Sequence, residues 1–284
     1  MNYTSFIRRQ QIGAEVVGAP EKRLVMGEIK IIFFDIDGTL VDPATGRISQ
    51  RTCHALRQLH RNGILVCIAT GRPTASLPDF GDLPIDAICA FNGSLCFAGN
   101  SILYSNPIPP KDVETVLQNA SMAGRPVSIA GRNRLAANGS DTDLADYYRL
   151  AGVELTVAED FDSVCREPVY QIMIGGRTAE EAAFVEGTSA VKLTRSWDRA
   201  VDVIPATSGK GVGIEKIIGH FHLEASQALA FGDSYNDTEM LLTVGTGVAM
   251  GNAPEEIKAL AADRCGPVGE DGIYHYCLEH GLIQ

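Results

Sequence analysis

Four aspartates stand directly after strongly apolar segments of the sequence. Asp35 and Asp37 follow the run Ile31–Phe34, and Asp233 and Asp237 follow a similar run later in the chain. Because ligands bind beyond the carboxyl ends of parallel strands, we expect these side chains to converge in one crevice. Two unit charges about 4 Å apart, at an effective dielectric of about 20, repel by roughly 4 kcal/mol, so the cluster needs a cation. A ligand set of oxygens favours Mg²⁺ over zinc.

Further polar residues follow the other apolar runs or precede a predicted helix. They are Thr70, Arg72, Asn92, Gly93 and Lys210. Each on its own fits a turn, a mobile loop or a helix cap. Together with the aspartates they indicate phosphate chemistry, because a carboxylate held beside a metal-bound phosphate can act as a nucleophile while a lysine balances the charge. A second carboxylate two residues later can act as a general acid or base.

Short apolar runs alternate with helical patterns from about residue 30 onwards, which predicts a parallel α/β sheet. Two of these runs are Ile64–Ala69 and Ala87–Phe91. Before the first of them, Ser49 is a good helix N-cap and Gly63 stands where a left-handed C-cap is expected. The alternation resumes with Val201–Ile204, which we take as the next strand of the same sheet.

The middle of the chain, residues 94–199, has a different pattern. It opens with a hairpin signal around Gly99 and then mixes helical and strand patterns. We therefore expect an α+β insertion that divides a core made of residues 28–93 and 200–284. Residues 1–27 precede the first strong strand signal and are predicted to be an N-terminal extension.

The composition excludes several classes of protein. A formal net charge of −11 argues against a protein whose main partner is nucleic acid, because binding a phosphate backbone needs a basic face. No run approaches the roughly 18 apolar residues of a membrane span, and no apolar segment follows Arg8 and Arg9 to form a secretory signal. The seven cysteines are scattered and never spaced as CxxC, which indicates reduced thiols in a cytoplasmic protein.

On its motifs, the chain resembles the haloacid dehalogenase-like (HAD) phosphatase superfamily and, within it, the Cof-type branch. The segments that carry the resemblance are Asp35–Thr39, Thr70, Lys210 and Gly232–Asp237 as the four motifs in order, with the Asn92–Gly93 pair and Gly251–Ala253 as Cof-type features. The resemblance implies an α/β fold with a Rossmann-like parallel-sheet core of three layers, α/β/α, and an inserted α+β cap domain.

The resemblance also implies roles at the matching positions. Asp35 would be the nucleophile and a metal ligand, and Asp37 the general acid and then base, with its backbone carbonyl on the metal. Thr70 would hydrogen-bond the phosphoryl oxygens, and Lys210 would neutralise them. Asp233 would complete the direct protein ligands of the metal.

Two further groups of residues are assigned by the same resemblance. Asn236 and Asp237 would act near the metal or through water, in its second shell. The substrate side of the core would be lined by Arg72, Asn92 and Gly93.

The implied function is that of a Mg²⁺-dependent phosphatase. It would hydrolyse small phosphate monoesters, such as sugar phosphates or phosphorylated metabolites, through an aspartyl-phosphate intermediate. A phosphomutase of the same superfamily and a non-catalytic phosphometabolite-binding protein stay open as alternatives. The expected partner is a small phosphorylated metabolite, with no nucleic acid and no membrane; the oligomeric state is not predicted. The cap would select the substrate, and Arg132 and Arg134 within it are expected to face solvent rather than a substrate phosphate.

Two nucleotide-binding patterns are excluded. A P-loop would need a glycine five residues before Gly209 and a Ser or Thr after Lys210, and both are missing. The glycines at Gly245, Gly247 and Gly251 follow a predicted helix rather than a strand, so they do not indicate a dinucleotide site.

Overall fold

The computed structural model describes residues 29–284; the expected N-terminal extension, residues 1–27, lies outside the described residues. The strands in chain order are β1 (Ile31–Phe34), β2 (Val41–Asp42), β3 (Arg47–Ile48), β4 (Leu65–Ala69), β5 (Ala87–Ala90), β6 (Leu95–Ala98), β7 (Ser101–Ser105), β8 (Val127–Gly131), β9 (Leu135–Ala137), β10 (Val169–Gly175), β11 (Val191–Trp197), β12 (Ala200–Pro205), β13 (Ala228–Gly232), β14 (Thr246–Ala249) and β15 (Asp263–Arg264). The helices are α1 (Gln50–Arg61), α2 (Pro110–Met122), α3 (Thr142–Leu150), α4 (Phe161–Val164), α5 (Glu181–Phe184), α6 (Lys210–His220), α7 (Thr238–Thr243), α8 (Glu255–Leu260) and α9 (Gly272–Glu279).

An eight-stranded sheet forms the core, in the spatial order β15-β14-β13-β1-β4-β5-β6-β7. The strands from β15 to β5 run parallel, and β6 and β7 continue the sheet antiparallel. The central strand β1 is buried along its whole length, as a parallel strand covered on both faces must be. The carboxyl ends of β1, β4, β5 and β13 consequently lie along one edge, where the polar motifs begin.

Helices cover both faces of this sheet and produce the expected three layers. Phe34 of β1 packs on the face covered by α1 and α9, and the alternate residue Phe33 packs on the face covered by α6, α7 and α8. Helix α1 begins after Ser49, whose Oγ accepts a hydrogen bond from the Thr52 amide at 3.0 Å. It is followed by Gly63 at φ 78°, so the predicted cap at each end of α1 is confirmed.

A second, antiparallel sheet of five strands has the order β11-β12-β10-β8-β9. One face carries Ile172 and Val203, among others, and packs against α2, α4 and α5. The opposite face carries Met173 and Asp202, which are directly paired across β10 and β12. Met173 packs there with residues of α3 and with Phe91, which follows β5 of the core. The second sheet thus turns one face towards the carboxyl edge of the core sheet.

The sheet membership corrects both expected ends of the insertion. Strands β6 and β7, placed by the sequence pattern in the insertion of residues 94–199, extend the core sheet through the antiparallel pairing of Cys89 with Cys96. The run Val201–Ile204, expected to be a core strand, belongs to β12 and pairs with β10 and β11 of the second sheet. Its side chains are buried on both faces, which made it resemble a parallel core strand.

Two expectations about the environment of the chain can also be compared with the structure. All seven cysteines are free. Across residues 29–284, no helix combines the length and apolarity required to cross a membrane.

Candidate active site

Asp35, Lys210 and Asp237 form a buried charged triad at the carboxyl edge of the core sheet. Asp35 follows β1, Lys210 is the first residue of α6, and Asp237 ends a short 3-10 turn after β13. Lys210 Nζ donates to Asp35 Oδ1 and to Asp237 Oδ1, each at 2.6 Å. The Lys210 and Asp237 side chains have no solvent exposure. Burying these charges together requires that each keeps a partner of opposite sign.

The carboxylates of this cluster have raised pKa values. Burial, followed by repulsion from Asp237, holds the pKa of Asp35 well above its usual range despite the nearby ammonium. The same two causes raise the pKa of Asp233 to about 7. Burial pulls the pKa of Lys210 down, but Asp237 and Asp35 outweigh it and the pKa is raised. One ammonium therefore does not neutralise the carboxylates, and the site favours an additional cation.

The donor set fits a hard divalent cation. Asp35, Asp233 and Asp237 each offer a carboxylate oxygen, and these atoms lie within 4.8 Å of one another. Asp237 is already committed, because its Oδ1 accepts from Lys210 and its Oδ2 accepts from the backbone amides of Asp233 and Ser234 at 3.0 and 2.9 Å. Within residues 29–284, each oxygen of Asp233 accepts only one hydrogen bond, from a neutral donor, and only Oδ1 of Asp35 accepts one. Asp35 and Asp233 are therefore better placed than Asp237 to hold a metal directly, while Asp237 fixes the loop that carries Asp233.

Two residues without a predicted role hold Asp233 in place. Thr39 Oγ1 donates to Asp233 Oδ1 at 3.1 Å, and Asn252 Nδ2 donates to Asp233 Oδ2 at 3.2 Å and to the Gly38 carbonyl at 2.8 Å. Gly38 has φ 83°, and a Cβ there would lie 2.2 Å from Asp233 Oδ2. Only glycine permits this approach. Thr39 and Asn252 lie in motif segments that the sequence had singled out, without a contact to assign.

The loops after β4 and β5 are fixed to each other. Thr70 Oγ1 accepts from the Arg72 amide at 3.0 Å, and the Asn92 amide donates to the Thr70 carbonyl at 3.0 Å. Asn92 has left-handed φ and ψ angles of 50° and 40°, and its Oδ1 accepts from Asn236 Nδ2 at 3.1 Å. A Cβ on Gly93 would lie 1.9 Å from the Gly209 carbonyl, so this glycine lets the segment before Lys210 pack closely.

Asp37 lies at the solvent side of the cluster and is paired with Arg72. Arg72 Nε donates to Asp37 Oδ2 at 2.8 Å, and Nη2 donates to Oδ1 at 2.6 Å. The Asp37 side chain remains 50% exposed. Asp37 is therefore accessible to solvent, unlike the buried Lys210 triad.

The second sheet adds a buried carboxyl group, Asp202, that sequence reasoning missed. Tyr147 OH donates to Oδ1 and Oδ2 of Asp202 at 3.1 and 3.0 Å. Burial raises the pKa of Asp202 to about 7, although hydrogen bonds from Tyr147, Gln171 and Asn92 oppose the rise. Because Asn92 belongs to the core, Asp202 lies at the boundary between the inserted domain and the core, beside the candidate site. No sequence signal marked Asp202, since it lies inside an apolar run that was assigned to another sheet.

Arg134 is directed to solvent, as predicted. It forms a two-pronged ion pair with Asp160, and both side chains are about half exposed. Arg132 is likewise exposed, and its backbone carbonyl accepts a hydrogen bond from Thr74.

Known proteins match most of this chain. The family model of the haloacid dehalogenase-like hydrolases matches residues 32–277. A putative phosphatase of Bacillus subtilis, YkrA, is 32% identical over 260 residues, covering 90% of this chain and 99% of its own. The solved HAD subclass IIB sugar phosphatase BT4131 superimposes with a TM-score of 0.82 at 31% identity, over 89% of this chain and 100% of its own.

A second solved structure, described in terms of a trigonal-bipyramidal intermediate in a phosphoryl-transfer superfamily, gives a TM-score of 0.84 at 30% identity, over 90% of this chain and 100% of its own. The matched region includes both sheets and every residue of the candidate site. The protein is therefore a Cof-type member of the haloacid dehalogenase-like hydrolases, an enzyme that acts on phosphate esters.

Proposed function

We propose that this enzyme is a Mg²⁺-dependent phosphatase that hydrolyses small phosphate monoesters through a phosphoryl group carried on Asp35. The observation that carries the proposal is the asymmetry of the Asp35 carboxylate. Its Oδ1 accepts a hydrogen bond from Lys210, whereas Oδ2 accepts none from residues 29–284. Lys210 thus fixes the direction of the carboxylate and leaves one oxygen for attack at phosphorus.

In the first step, Asp35 Oδ2 forms a bond to phosphorus while the bond between phosphorus and the ester oxygen breaks. The departing alkoxide takes a proton from the Asp37 carboxyl group, which lies two residues away on the same loop. Thr70 and Lys210 stabilise the negative charge on the phosphoryl oxygens. Alcohol leaves, and the phosphoryl group remains on Asp35.

In the second step, the Asp37 carboxylate takes a proton from water as the water oxygen attacks phosphorus. The bond between Asp35 and phosphorus breaks, which restores the Asp35 carboxylate and releases inorganic phosphate. Asp37 thus acts as acid and then as base, and its position outside the buried triad gives it access to both the leaving group and water.

A divalent cation would be held by Asp35 and Asp233, with the Asp37 backbone carbonyl as a further ligand. When bound, it supplies positive charge that neutralises phosphate and relieves the repulsion between the carboxylates. The raised pKa values of Asp35 and Asp233 support this assignment, because they show that the protein alone leaves the cluster short of positive charge.

The inserted domain would act as the substrate-selecting cap. Its contacts with the core lie around the site. Arg72 donates a hydrogen bond to the Ala151 carbonyl, and Lys192 forms an ion pair with Glu239 at 3.2 Å. Asp202 lies close to Asn92. A small substrate, such as a sugar phosphate or another phosphorylated metabolite, would be enclosed between the two sheets. We further propose a cytoplasmic location, where the free cysteines stay reduced.

The test is release of inorganic phosphate from a panel of sugar, polyol and nucleoside monophosphates, first in chelator and then with Mg²⁺ restored. We expect no release in chelator and recovery with Mg²⁺, together with stoichiometric alcohol. A phosphomutase would instead return an isomeric phosphate ester with little inorganic phosphate. Full release after extensive dialysis against chelator would refute the metal-dependent mechanism.

A further inference from the structure

Arg72 connects Asp37 to the inserted domain. Besides its two hydrogen bonds to Asp37, Nη1 donates to the carbonyl oxygens of Ser76 and Ala151, both at 3.0 Å. Four hydrogen bonds therefore occupy the guanidinium, and its side chain is only 13% exposed. The family resemblance implied that Arg72 lines the substrate side of the core, but a guanidinium committed in this way has little capacity left to bind a substrate phosphate.

The contact at Ala151 is made with the C-terminal end of α3. Carbonyl groups in the last turn of a helix lack intrahelical partners and carry partial negative charge, so Ala151 is a good acceptor for a cation. The same core segment touches the inserted domain a second time, where Thr74 Oγ1 donates to the Arg132 carbonyl. A displacement of the inserted domain would therefore act directly on the loop that carries Arg72.

We propose that Arg72 is a positioning residue that makes the alignment of Asp37 depend on the docking of the inserted domain. The inference rests on the proposed function, in which Asp37 handles protons. With the domain docked, Ala151 anchors one end of the guanidinium, and the other end holds both oxygens of Asp37 in a planar fork. Each of those oxygens keeps a lone pair for water or the leaving group. Undocking removes the anchor and frees the carboxylate to turn.

The first experiment uses Arg72→Met and Arg72→Lys with 4-nitrophenyl phosphate, whose leaving group needs no proton. We expect phosphorylation of Asp35 at close to the wild-type rate, followed by breakdown that is slower by about 10- to 100-fold, because misaligned Asp37 activates water poorly. Nitrophenolate should then appear in a burst, with phosphoenzyme accumulating in acid-quenched samples. Lysine keeps the charge but not the fork, so Arg72→Lys should resemble Arg72→Met.

A substrate-binding role gives a different result. If Arg72 held the substrate phosphate, KM would rise, the burst itself would slow and phosphoenzyme would not accumulate, and the positioning role would be overturned. Asp37→Asn separates this failure from a failure of the proposed function. If Asp37→Asn accumulates no phosphoenzyme, the proposed acid–base role is wrong. If Asp37→Asn accumulates it and Arg72→Met does not, only the positioning role is wrong. Adding Arg72→Met to Asp37→Asn should cause no further slowing of breakdown.

The link to the inserted domain has a matched control in the chain. Gly152 follows α3 at φ 69°, and Gly124 follows α2 at φ 67°; a Cβ at either position meets open space. Valine disfavours both left-handed turns equally, but only Gly152 adjoins the carbonyl that anchors Arg72. We expect Gly152→Val to show the burst and the slow breakdown of the phosphoenzyme, whereas Gly124→Val should have wild-type kinetics. Both variants should lose a similar amount of thermal stability. Equal kinetics in the two variants would overturn the link.

Discussion

Asp233 in the core and Asp202 in the inserted domain are both carboxyl groups whose pKa is raised to about 7, in each case chiefly by burial. Their neighbours differ. Asp233 lies among other carboxylates, and repulsion from Asp237 adds to the rise of its pKa. Around Asp202, hydrogen bonds led by that of Tyr147 and the positive charge of Arg195 oppose the rise. Repulsion between the carboxylates lowers stability unless a cation is bound, so the core cluster favours a bound cation. The hydrogen bonds that Asp202 accepts from Tyr147 instead join β12 to α3 within the inserted domain.

The comparison is tested most strongly by the same substitution in each region. Asp35→Asn should reduce kcat by at least about 100-fold, or roughly 2.7 kcal/mol in barrier, because an amide cannot attack phosphorus. Its thermal stability should be unchanged or higher, since one repelling charge is gone. The matched variant Asp202→Asn should keep turnover within about tenfold of wild type. Steady-state phosphate release measures both, and more than a hundredth of wild-type kcat in Asp35→Asn would argue against the covalent route.

The metal should also distinguish the two regions. Asp233→Ala should raise the Mg²⁺ concentration for half-maximal activity by about tenfold or more, because a direct ligand is lost. In thermal unfolding, Mg²⁺ should raise the Tm of the wild type and of Asp202→Asn. The rise in Tm should be much smaller for Asp233→Ala. An equal Mg²⁺-induced rise in all three proteins would show that the ion binds elsewhere.

The pH dependence of stability gives a smaller effect with a defined sign. Burial raises the pKa of Asp202 from its ordinary value of 3.8 to about 7 in the folded protein, so between these two values the folded state keeps a proton that the unfolded state has released. The free energy of unfolding should therefore fall as pH rises from about 4 to 7, by up to roughly 4 kcal/mol, and level off above that range. When both proteins are measured in chelator, the free energy of unfolding of Asp202→Asn should decrease less with rising pH than that of the wild type. Identical pH profiles for wild type and variant would contradict the raised pKa.

The smallest effect is expected at the surface of the inserted domain. Arg134→Ala breaks a solvent-exposed ion pair with Asp160 and should change neither the thermal stability nor the relative kcat/KM values over a panel of phosphate esters. A changed order of preference would mean that Arg134 reaches the substrate.

The two regions also differ in how much the sequence could predict. The position of Asp35 was predicted because the run Ile31–Phe34 is wholly apolar, as in a parallel strand that is covered on both faces, and Asp35 follows its carboxyl end. The helix caps at Ser49 and Gly63 are local signals as well and were confirmed. Local signals of this kind locate the elements that carry the candidate site.

The hydrophobic pattern of the sequence does not specify which strands pair when they are distant in the chain. The run Val201–Ile204 has the composition of a core strand, and only its pairing with β10 and β11 places it in the second sheet. Asp202 was missed for that reason, because its partners Tyr147 and Asn92 lie more than 50 residues away in the chain. The hairpin of β6 and β7 was recognised as a hairpin, but its turn does not specify which sheet it joins.

The central claim is that Asp35 carries the phosphoryl group, and trapping the intermediate tests it most directly. Asp37→Asn, incubated with Mg²⁺ and 4-nitrophenyl phosphate, should still be phosphorylated but hydrolyse the intermediate slowly. After an acid quench, peptide mass spectrometry should find the acyl phosphate on Asp35, and the double variant that also carries Asp35→Asn should show none. A phosphoryl group on any other residue, or its persistence in the double variant, would contradict the account.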